Sequence, residues 1–143
     1  MPPPLSALQK KFAAQLSGGH FRQLNEKLYT QPGAASLEMM KASPALFDEY
    51  HKGYREQVRA WPSNPLDNII AEIQKATPRG KVRVADFGCG DARLASALTA
   101  HAASVHSFDL VARAPGVIAC DMARVPLAAG VVDVAVFCLS LMG

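Results

Sequence analysis

The chain has 143 residues, of which 50% are hydrophobic and 19% are charged. This length and composition predict a single folded domain with a sizeable core and exclude a disordered chain. The net charge of +3 is compatible with a nucleic-acid partner but does not indicate one, and no apolar run approaches the ~20 residues of a membrane-spanning helix. The first residues show no signal-peptide pattern.

The cysteines indicate the redox environment. Cys89, Cys120 and Cys138 are odd in number and show no CxxC spacing. This pattern favours reduced thiols in the cytosol or nucleus over a disulfide framework or a zinc site.

The first part of the chain is predicted to be helical up to about residue 80. We expect residues 1–18 to be disordered or a short helix, because the chain opens with a proline-rich stretch. "HFRQLNEKLYT" is typical of a short amphipathic helix, and "QPGAAS", which follows it, is typical of a turn. Residues 19–80 are therefore predicted to form a helical segment.

Two further helices are predicted before residue 80. Ser43 as N-cap and Pro44 in the first turn open one of them, and Pro62 ends it. Its apolar residues recur at helical spacing and form one stripe: Leu46, Phe47, Tyr50, Tyr54, Val58 and Trp61. The next helix is predicted from Pro65 to Ala76.

From residue 81 onward strands and helical pieces alternate. The predicted strands are "KVRVADFG", "SVHSFDL", "GVIACDM" and the apolar run "VVDVAVFCLSL", and "DARLASALTA" is a predicted helix. Such alternation is typical of an α/β fold with a doubly wound, mostly parallel sheet. The last run is apolar enough for a strand covered on both faces. Ligands of such sheets bind at the carboxyl ends of the strands, where each of these runs has an acid or a cysteine.

The stretch "VADFGCGDARL" excludes several ligands. Its Asp-Phe-Gly lacks the other segments of a protein kinase, and no Gly-Lys-Ser/Thr follows the glycines as in a phosphate-binding loop. A dinucleotide site needs a third glycine where this chain has Arg93. Asp91, directly after the second glycine, would repel a pyrophosphate. The pattern therefore favours a ligand without phosphates.

S-adenosylmethionine fits these residues, since it carries a sulfonium, an amino-acid head and a ribose. Gly88 and Gly90 in the glycine turn allow close backbone approach, and Asp86 or Asp91 can face the cationic methionine part. Asp109 is placed to accept hydrogen bonds from the ribose hydroxyls. The residues after the third strand, Asp121 and Met122, can contact an adenine. The alternative is that Asp91 only caps a helix and Asp109 only ends a strand.

Taken together, several stretches resemble the ribosomal RNA-processing methyltransferases of the nucleolus. The resemblance covers nearly all of the chain from about residue 19. The stretches that carry it are "FRQLNEKLY", "YHKGYREQVRAWPSNPLD", "VADFGCGDARLA", "FDL", "CDMARVPL" and "VDVAVFCLSLMG".

The resemblance implies a class I, Rossmann-like methyltransferase fold that uses S-adenosyl-L-methionine and methylates N1 of an adenine in large-subunit ribosomal RNA. It implies a nuclear, nucleolar location, and for some members a link to silencing complexes that recognise methylated histone H3. The cysteine spacing and the short apolar runs lead us to expect no metal and no membrane partner. The cofactor contacts that the resemblance carries over are His51, Gly88, Asp109, Asp121, Met122 and Cys138. It also implies that the helical part covers the cofactor.

The predicted methyl transfer requires few catalytic groups from the protein. N1 of adenine has an in-plane lone pair, so positioning is expected to dominate and no catalytic acid or base is assigned. The stretch "CLSLMG" lacks the Pro-Pro-aromatic segment of methyltransferases that act on the exocyclic amino group. Lys52, Arg55 and Arg59 are candidates for an RNA-binding face, with Arg22 and Lys27 beside them. A solvated helix face is the equally weighted alternative.

The sequence departs from the family at its ends. Gly143 comes directly after the fourth strand, whereas members of the family continue, and their basic N-terminal extension is also missing. We expect a truncated chain whose residues 81–143 form the first half of the sheet domain, with the fourth strand at a raw edge. The alternative function is a non-catalytic cofactor-binding module in a nucleolar chromatin-silencing complex. A small-molecule methyltransferase is a third interpretation.

Overall fold

The computed structural model describes residues 3–140. Four helices precede the first strand, and strands and one further helix follow. In chain order the elements are α1 (Ala7–Thr30), α2 (Gly33–Ala42), α3 (Pro44–Arg59), α4 (Pro65–Ala76), β1 (Arg83–Phe87), α5 (Arg93–Leu98), β2 (Ser104–Asp109), β3 (Val117–Ala119), a short 3-10 helix (Met122–Arg124) and β4 (Val134–Val136).

The first helix is longer than the sequence pattern predicts. Ser6 caps α1 by accepting a hydrogen bond from the Gln9 backbone N–H, and the Gln9 side chain accepts one from the Ser6 N–H. This capping box starts the helix well before the predicted short one. The turn predicted at "QPGAAS" is confined to Gln31 and Pro32, because Pro32 is the N-cap of α2 and Gly33 its first residue. The turn prediction was therefore wrong for residues 33–36.

Helices α3 and α4 begin where their prolines predict. Asn64 caps α4 by accepting a hydrogen bond from the Leu66 N–H at 3.0 Å, and Pro65 occupies the first turn. Ser43 lies at the N-cap of α3, but its side chain makes no capping hydrogen bond. Helix α3 ends at Arg59, before Trp61, whose side chain is 40% exposed. Trp61 thus does not belong to the buried stripe.

The sheet confirms the predicted fold class. All described strand pairs are parallel, and the spatial order is β3-β2-β1-β4. The order reverses at β1, which pairs with β2 on one side and with β4 on the other. This arrangement is the first half of a doubly wound, Rossmann-like sheet, and its switch point lies between β1 and β4.

The two faces of the sheet are covered differently. Helices α4 and α5 pack on one face around a cluster made by Ile73, Val82, Val84, Leu94, Leu98 and Val136. The other face holds Ala85, Phe87 and Phe108, and the segment between β3 and β4 covers it with Val125, Leu127 and Val132. Helix α4 therefore belongs to the core of the sheet.

A third apolar cluster joins the remaining helices to the sheet. Leu28 of α1, Met40 of α2 and Phe47 of α3 form its buried centre, and Leu110 and Val111 after β2 pack against it. Helices α1–α3 thus form a layer at the carboxyl end of β2.

The fourth strand differs from the prediction of a strand covered on both faces. It has only three residues and lies at an edge of the described sheet. Ala135 is exposed and the Phe137 side chain is 41% exposed, although Phe137 stacks on Phe87 at a centroid distance of 4.7 Å. Its edge position is as expected. Among the described residues, no helix is long and apolar enough to cross a membrane.

Candidate functional site

A cavity of about 370 Å³ lies between the α1–α3 layer and the carboxyl ends of the strands. Its size falls in the ~300–1,000 Å³ range of small-molecule sites. All six residues that the resemblance carries over line it: His51, Gly88, Asp109, Asp121, Met122 and Cys138. They come from α3 and from the ends of all four strands, so the fold brings together residues up to 87 positions apart in sequence (His51 and Cys138).

The two glycines of the turn after β1 are required by their surroundings. Gly88 has φ +80°, and a Cβ there would collide with the Cβ of Ser140, whose hydroxyl donates a 2.5 Å hydrogen bond to the Phe87 carbonyl. Gly90 has φ +56°, and a Cβ there would lie 3.3 Å from Cε1 of His51. Protein side chains thus lie where a Cβ of either glycine would be, while both glycines line the cavity.

Asp109 is held firmly at the end of β2. One carboxylate oxygen accepts a 2.7 Å hydrogen bond from the Gly90 N–H, and the other accepts a 2.7 Å bond from the Leu110 N–H. His51 Nε2 lies 3.9 Å from Asp109 Oδ2. A carboxylate offers about four lone-pair sites, so acceptor capacity remains for the hydroxyls of a ligand.

Burial shifts the pKa values of both His51 and Asp109. Desolvation lowers the pKa of His51, although Asp109 opposes the shift, and desolvation raises the pKa of Asp109 although His51 opposes it. Their mutual attraction therefore only partly offsets the cost of burying both groups.

Asp86 gives the cavity a second buried carboxyl. Its residue is 3% exposed, and burial, followed by the charge of Asp109, raises its pKa to about 7. The raised pKa shows that negative charge here is poorly compensated within the protein. A ligand that brings a positive charge next to Asp86 and Asp109 would be stabilised by both.

Asp91 and Asp86 were both candidates to face a cationic ligand, and the structure separates them. Asp91 accepts a 3.3 Å hydrogen bond from Arg55 of α3, and both side chains are about half exposed. Asp91 therefore connects α3 to the glycine turn at the rim, whereas Asp86 lies inside. Arg55 is correspondingly removed from the predicted basic face.

The β3 end of the cavity is closed by α2. The Asp121 carboxylate accepts a 3.1 Å hydrogen bond from the Ala123 N–H and lies against Gly33, where a Cβ would overlap it. Met122 follows, in the 3-10 helix, and packs beside the Phe87–Phe108 cluster. A carboxylate and a thioether thus both line this end of the cavity.

All three cysteines line the cavity and are free thiols. Burial is the main cause that raises the pKa of each, and nearby carboxylates add to it. The thiols are therefore neutral near pH 7. Within residues 3–140, no cluster of three or more His, Cys, Asp or Glu side chains could hold a metal ion.

Sequence reasoning missed part of the lining. Asn25, Leu28, Ser36 and Met40 of the first two helices border the cavity, and so does Ser140. No local pattern marks these residues, because their position depends on how α1 and α2 fold back onto the sheet. Tyr50 and Tyr54 were identified only as members of an apolar stripe.

The fold and the cavity define a class. A parallel sheet of order β3-β2-β1-β4, with a glycine turn after β1 and acids after β2 and β3, is an incomplete Rossmann-like methyltransferase fold.

The comparisons with known proteins name the family. The family described as "Hypothetical methyltransferase" matches residues 7–143, and the chain belongs to it. The chain is 46% identical to "25S rRNA (adenine(645)-N(1))-methyltransferase" of Schizosaccharomyces pombe, over 97% of this chain and 46% of that protein. It is 50% identical to "Ribosomal RNA-processing protein 8" of Arabidopsis thaliana, over 97% of this chain and 45% of that protein. The mouse protein of the same name is 47% identical over 96% of this chain and 29% of its own length. The chain thus spans less than half the length of these relatives.

Proposed function

We propose that this chain is the S-adenosylmethionine-binding part of an enzyme that methylates N1 of an adenine in large-subunit ribosomal RNA. The observation that carries the proposal is the convergence of His51, Gly88, Asp109, Asp121, Met122 and Cys138 on one cavity. The names of the relatives, a 25S rRNA adenine-N1 methyltransferase and rRNA-processing proteins, support the substrate. The protein would then act in ribosome biogenesis, in the nucleus and its nucleolus. Association with factors that recognise methylated histone H3 stays a prediction.

The residues present fit this cofactor. The free acceptor sites of Asp109 would take the ribose hydroxyls, and Asp121 with Met122 would hold the adenine. Asp86, buried and poorly compensated, would face the positively charged methionine part. His51, lying over Gly90, would cover the cofactor from the side of α3.

The cofactor and the protein make different contributions to the methyl transfer. When bound, S-adenosylmethionine supplies an electrophilic methyl group. The residues of this chain orient the cofactor, exclude water beneath α3 and present negative charge beside the cationic group. Since N1 of adenine already carries a lone pair, no residue needs to remove a proton before transfer.

Calorimetric titration of S-adenosylhomocysteine into the 143-residue chain tests the proposal. We expect saturable binding that Asp109→Asn weakens by at least tenfold, the factor that corresponds to about 1.4 kcal/mol. Asp133→Asn is the matched control, because the Asp133 carboxylate also accepts a backbone hydrogen bond, from the Arg83 N–H at 2.8 Å, but lies outside the cavity lining. Equal affinity in all three folded proteins, or no binding by a folded chain, would refute the cofactor assignment.

A further inference from the structure

The cavity extends past the residues assigned to the cofactor. The strand order places Asp121 at the β3 edge, Asp109 and Gly88 in the middle, and Cys138 at the β4 edge. If ribose and adenine bind at β2 and β3, the rest of the cofactor is directed toward β1 and β4. The second substrate must therefore enter from the β4 side.

Aromatic and apolar side chains line that side. We call them the Tyr54 subsite: Tyr54, Val58 and Leu66, with Cys138 at its border with the cofactor residues. Leu66 and Cys138 pack against the same apolar cluster of the sheet. The Tyr54 ring lies edge-on to His51 at a centroid distance of 6.4 Å, so the subsite adjoins the cofactor residues directly. Burial and then the neighbouring Cys138 raise the pKa of Tyr54 to about 12, so its hydroxyl group is uncharged near pH 7.

Within residues 3–140, the cations at this rim differ in their ion pairs. Arg55 pairs with Asp91, and Arg93 pairs with Asp67. Arg59 also lines the cavity, directly after Val58, and is exposed. Across residues 3–140, no acidic side chain forms an ion pair with it. Arg59 is thus free to bind an anion at the mouth of the Tyr54 subsite.

We propose that the Tyr54 subsite receives the unpaired target base of a single-stranded RNA and that Arg59 binds the phosphate beside that base. Bases of single-stranded RNA stack on aromatic side chains, and a guanidinium matches the geometry of a phosphate. The proposal rests on the proposed function and adds the location and chemistry of its RNA site. A base still paired in a duplex cannot reach the cavity.

The test measures RNA and cofactor binding separately on the whole 143-residue chain. The RNA probe is a fluorescently labelled single-stranded decamer with one adenine among uridines, titrated by anisotropy at saturating S-adenosylhomocysteine. The variants are Tyr54→Ala, Tyr54→Phe and Arg59→Gln. Lys75→Gln is the matched control, because Lys75 is an exposed cation in the last turn of α4 that does not line the cavity.

The proposal predicts a specific set of results. Tyr54→Ala weakens RNA binding roughly 5- to 150-fold, the range for loss of one base-aromatic stack, and Tyr54→Phe restores it. Arg59→Gln lowers the slope of log K against log salt by about 0.7, as expected for one lost phosphate contact on a single strand. Lys75→Gln leaves the RNA affinity and the slope unchanged. None of the four variants changes S-adenosylhomocysteine affinity more than about twofold, a free-energy change of ~0.4 kcal/mol.

Other results would overturn the inference. These are equal RNA binding by all variants, no RNA binding by the wild type, equal binding of the duplex form of the probe, or loss of cofactor binding together with RNA binding in Tyr54→Ala. If the chain binds S-adenosylhomocysteine but its RNA binding does not depend on Tyr54, the RNA subsite is refuted and the proposed cofactor is not. Tyr54-dependent RNA binding by a chain that takes up no S-adenosylhomocysteine would defeat the proposed cofactor and leave the RNA subsite standing.

Discussion

At the scale of single residues, Asp86 makes stability depend on pH. Its pKa is raised to about 7, mainly by burial. A carboxyl with a raised folded-state pKa contributes stability that is present below its unfolded pKa of ~3.9 and is lost as the pH rises through the folded value. We therefore expect the free energy of unfolding to fall between about pH 4 and pH 7. The Asp86 contribution is at most about 4 kcal/mol, at ~1.4 kcal/mol per pKa unit.

Urea unfolding at several pH values checks this expectation. Asp86→Asn is neutral at every pH, so the variant should lack the Asp86 part of the fall and should gain on the wild type as the pH rises. Asp109, whose pKa burial also raises, remains in both proteins, so the difference between their pH profiles contains only Asp86 and its coupling to Asp109. Parallel pH profiles of the two proteins would contradict the raised pKa of Asp86.

Gly88 offers a second prediction at this scale. Its φ of +80° disfavours any side chain, and a Cβ would also collide with Ser140. Gly130 has a similar φ of +74° but no atom near its Cβ position. Gly130→Ala should cost only the backbone strain of about 1–2 kcal/mol, and Gly88→Ala should cost about 1–3 kcal/mol more through overpacking. Chemical denaturation of both variants measures the difference, which vanishes if Ser140 can move away freely.

At the scale of elements, α3 connects the helical layer to the sheet. One side packs on α1, where Gly53 lies against the Phe21 ring, and the other presents His51 and Arg55 to the glycine turn. A change in the distance between α1 and α3 would therefore also move the wall of the cavity.

Gly53→Ala tests this packing. A Cβ at Gly53 would lie 2.6 Å from the Phe21 ring, so the substitution should destabilise the fold by about 1–3 kcal/mol through overpacking. The helix propensity of alanine offsets up to about 1 kcal/mol of this cost. Gly19→Ala in α1 is the control, since its nearest neighbour is a flexible Arg22 side chain at 3.9 Å. That variant should be stabilised by up to about 1 kcal/mol, and equal effects of the two substitutions in thermal unfolding would refute the close α1–α3 contact.

At the scale of the whole molecule, the cavity lies between two layers, and its ligand should couple them. At 100 times its Kd, S-adenosylhomocysteine should raise the free energy of unfolding by about 2.7 kcal/mol. Because His51 and Arg55 close over the glycine turn, amide exchange should slow in α3 as well as in β1 and β2. Hydrogen-exchange mass spectrometry with and without the ligand measures this protection. Slower exchange in the sheet alone would show that α3 does not cover the ligand.

The sequence by itself determined the order of the strands' functional groups and most local elements, though not α2 or the full length of α1. Apolar strand patterns, prolines at the starts of α3 and α4, and acids at the ends of β1 and β2 predicted a parallel sheet with a ligand edge. These features are encoded in neighbouring residues, whose spacing decides local conformation. Family resemblance added His51 and Cys138, which local patterns describe only as helix and core residues.

Only the tertiary structure decided what each side chain contacts. It placed Asp86 inside the cavity and Asp91 on Arg55, filled the space beside Gly88 with Ser140, and set Tyr54 next to Cys138. It also left β4 as a short edge strand, although its apolar sequence is typical of a buried one. Arg55 and Asp91 are 36 residues apart in sequence, and Tyr54 and Cys138 are 84 apart. Such contacts depend on how the helical layer packs on the sheet, and local residue spacing does not predict them.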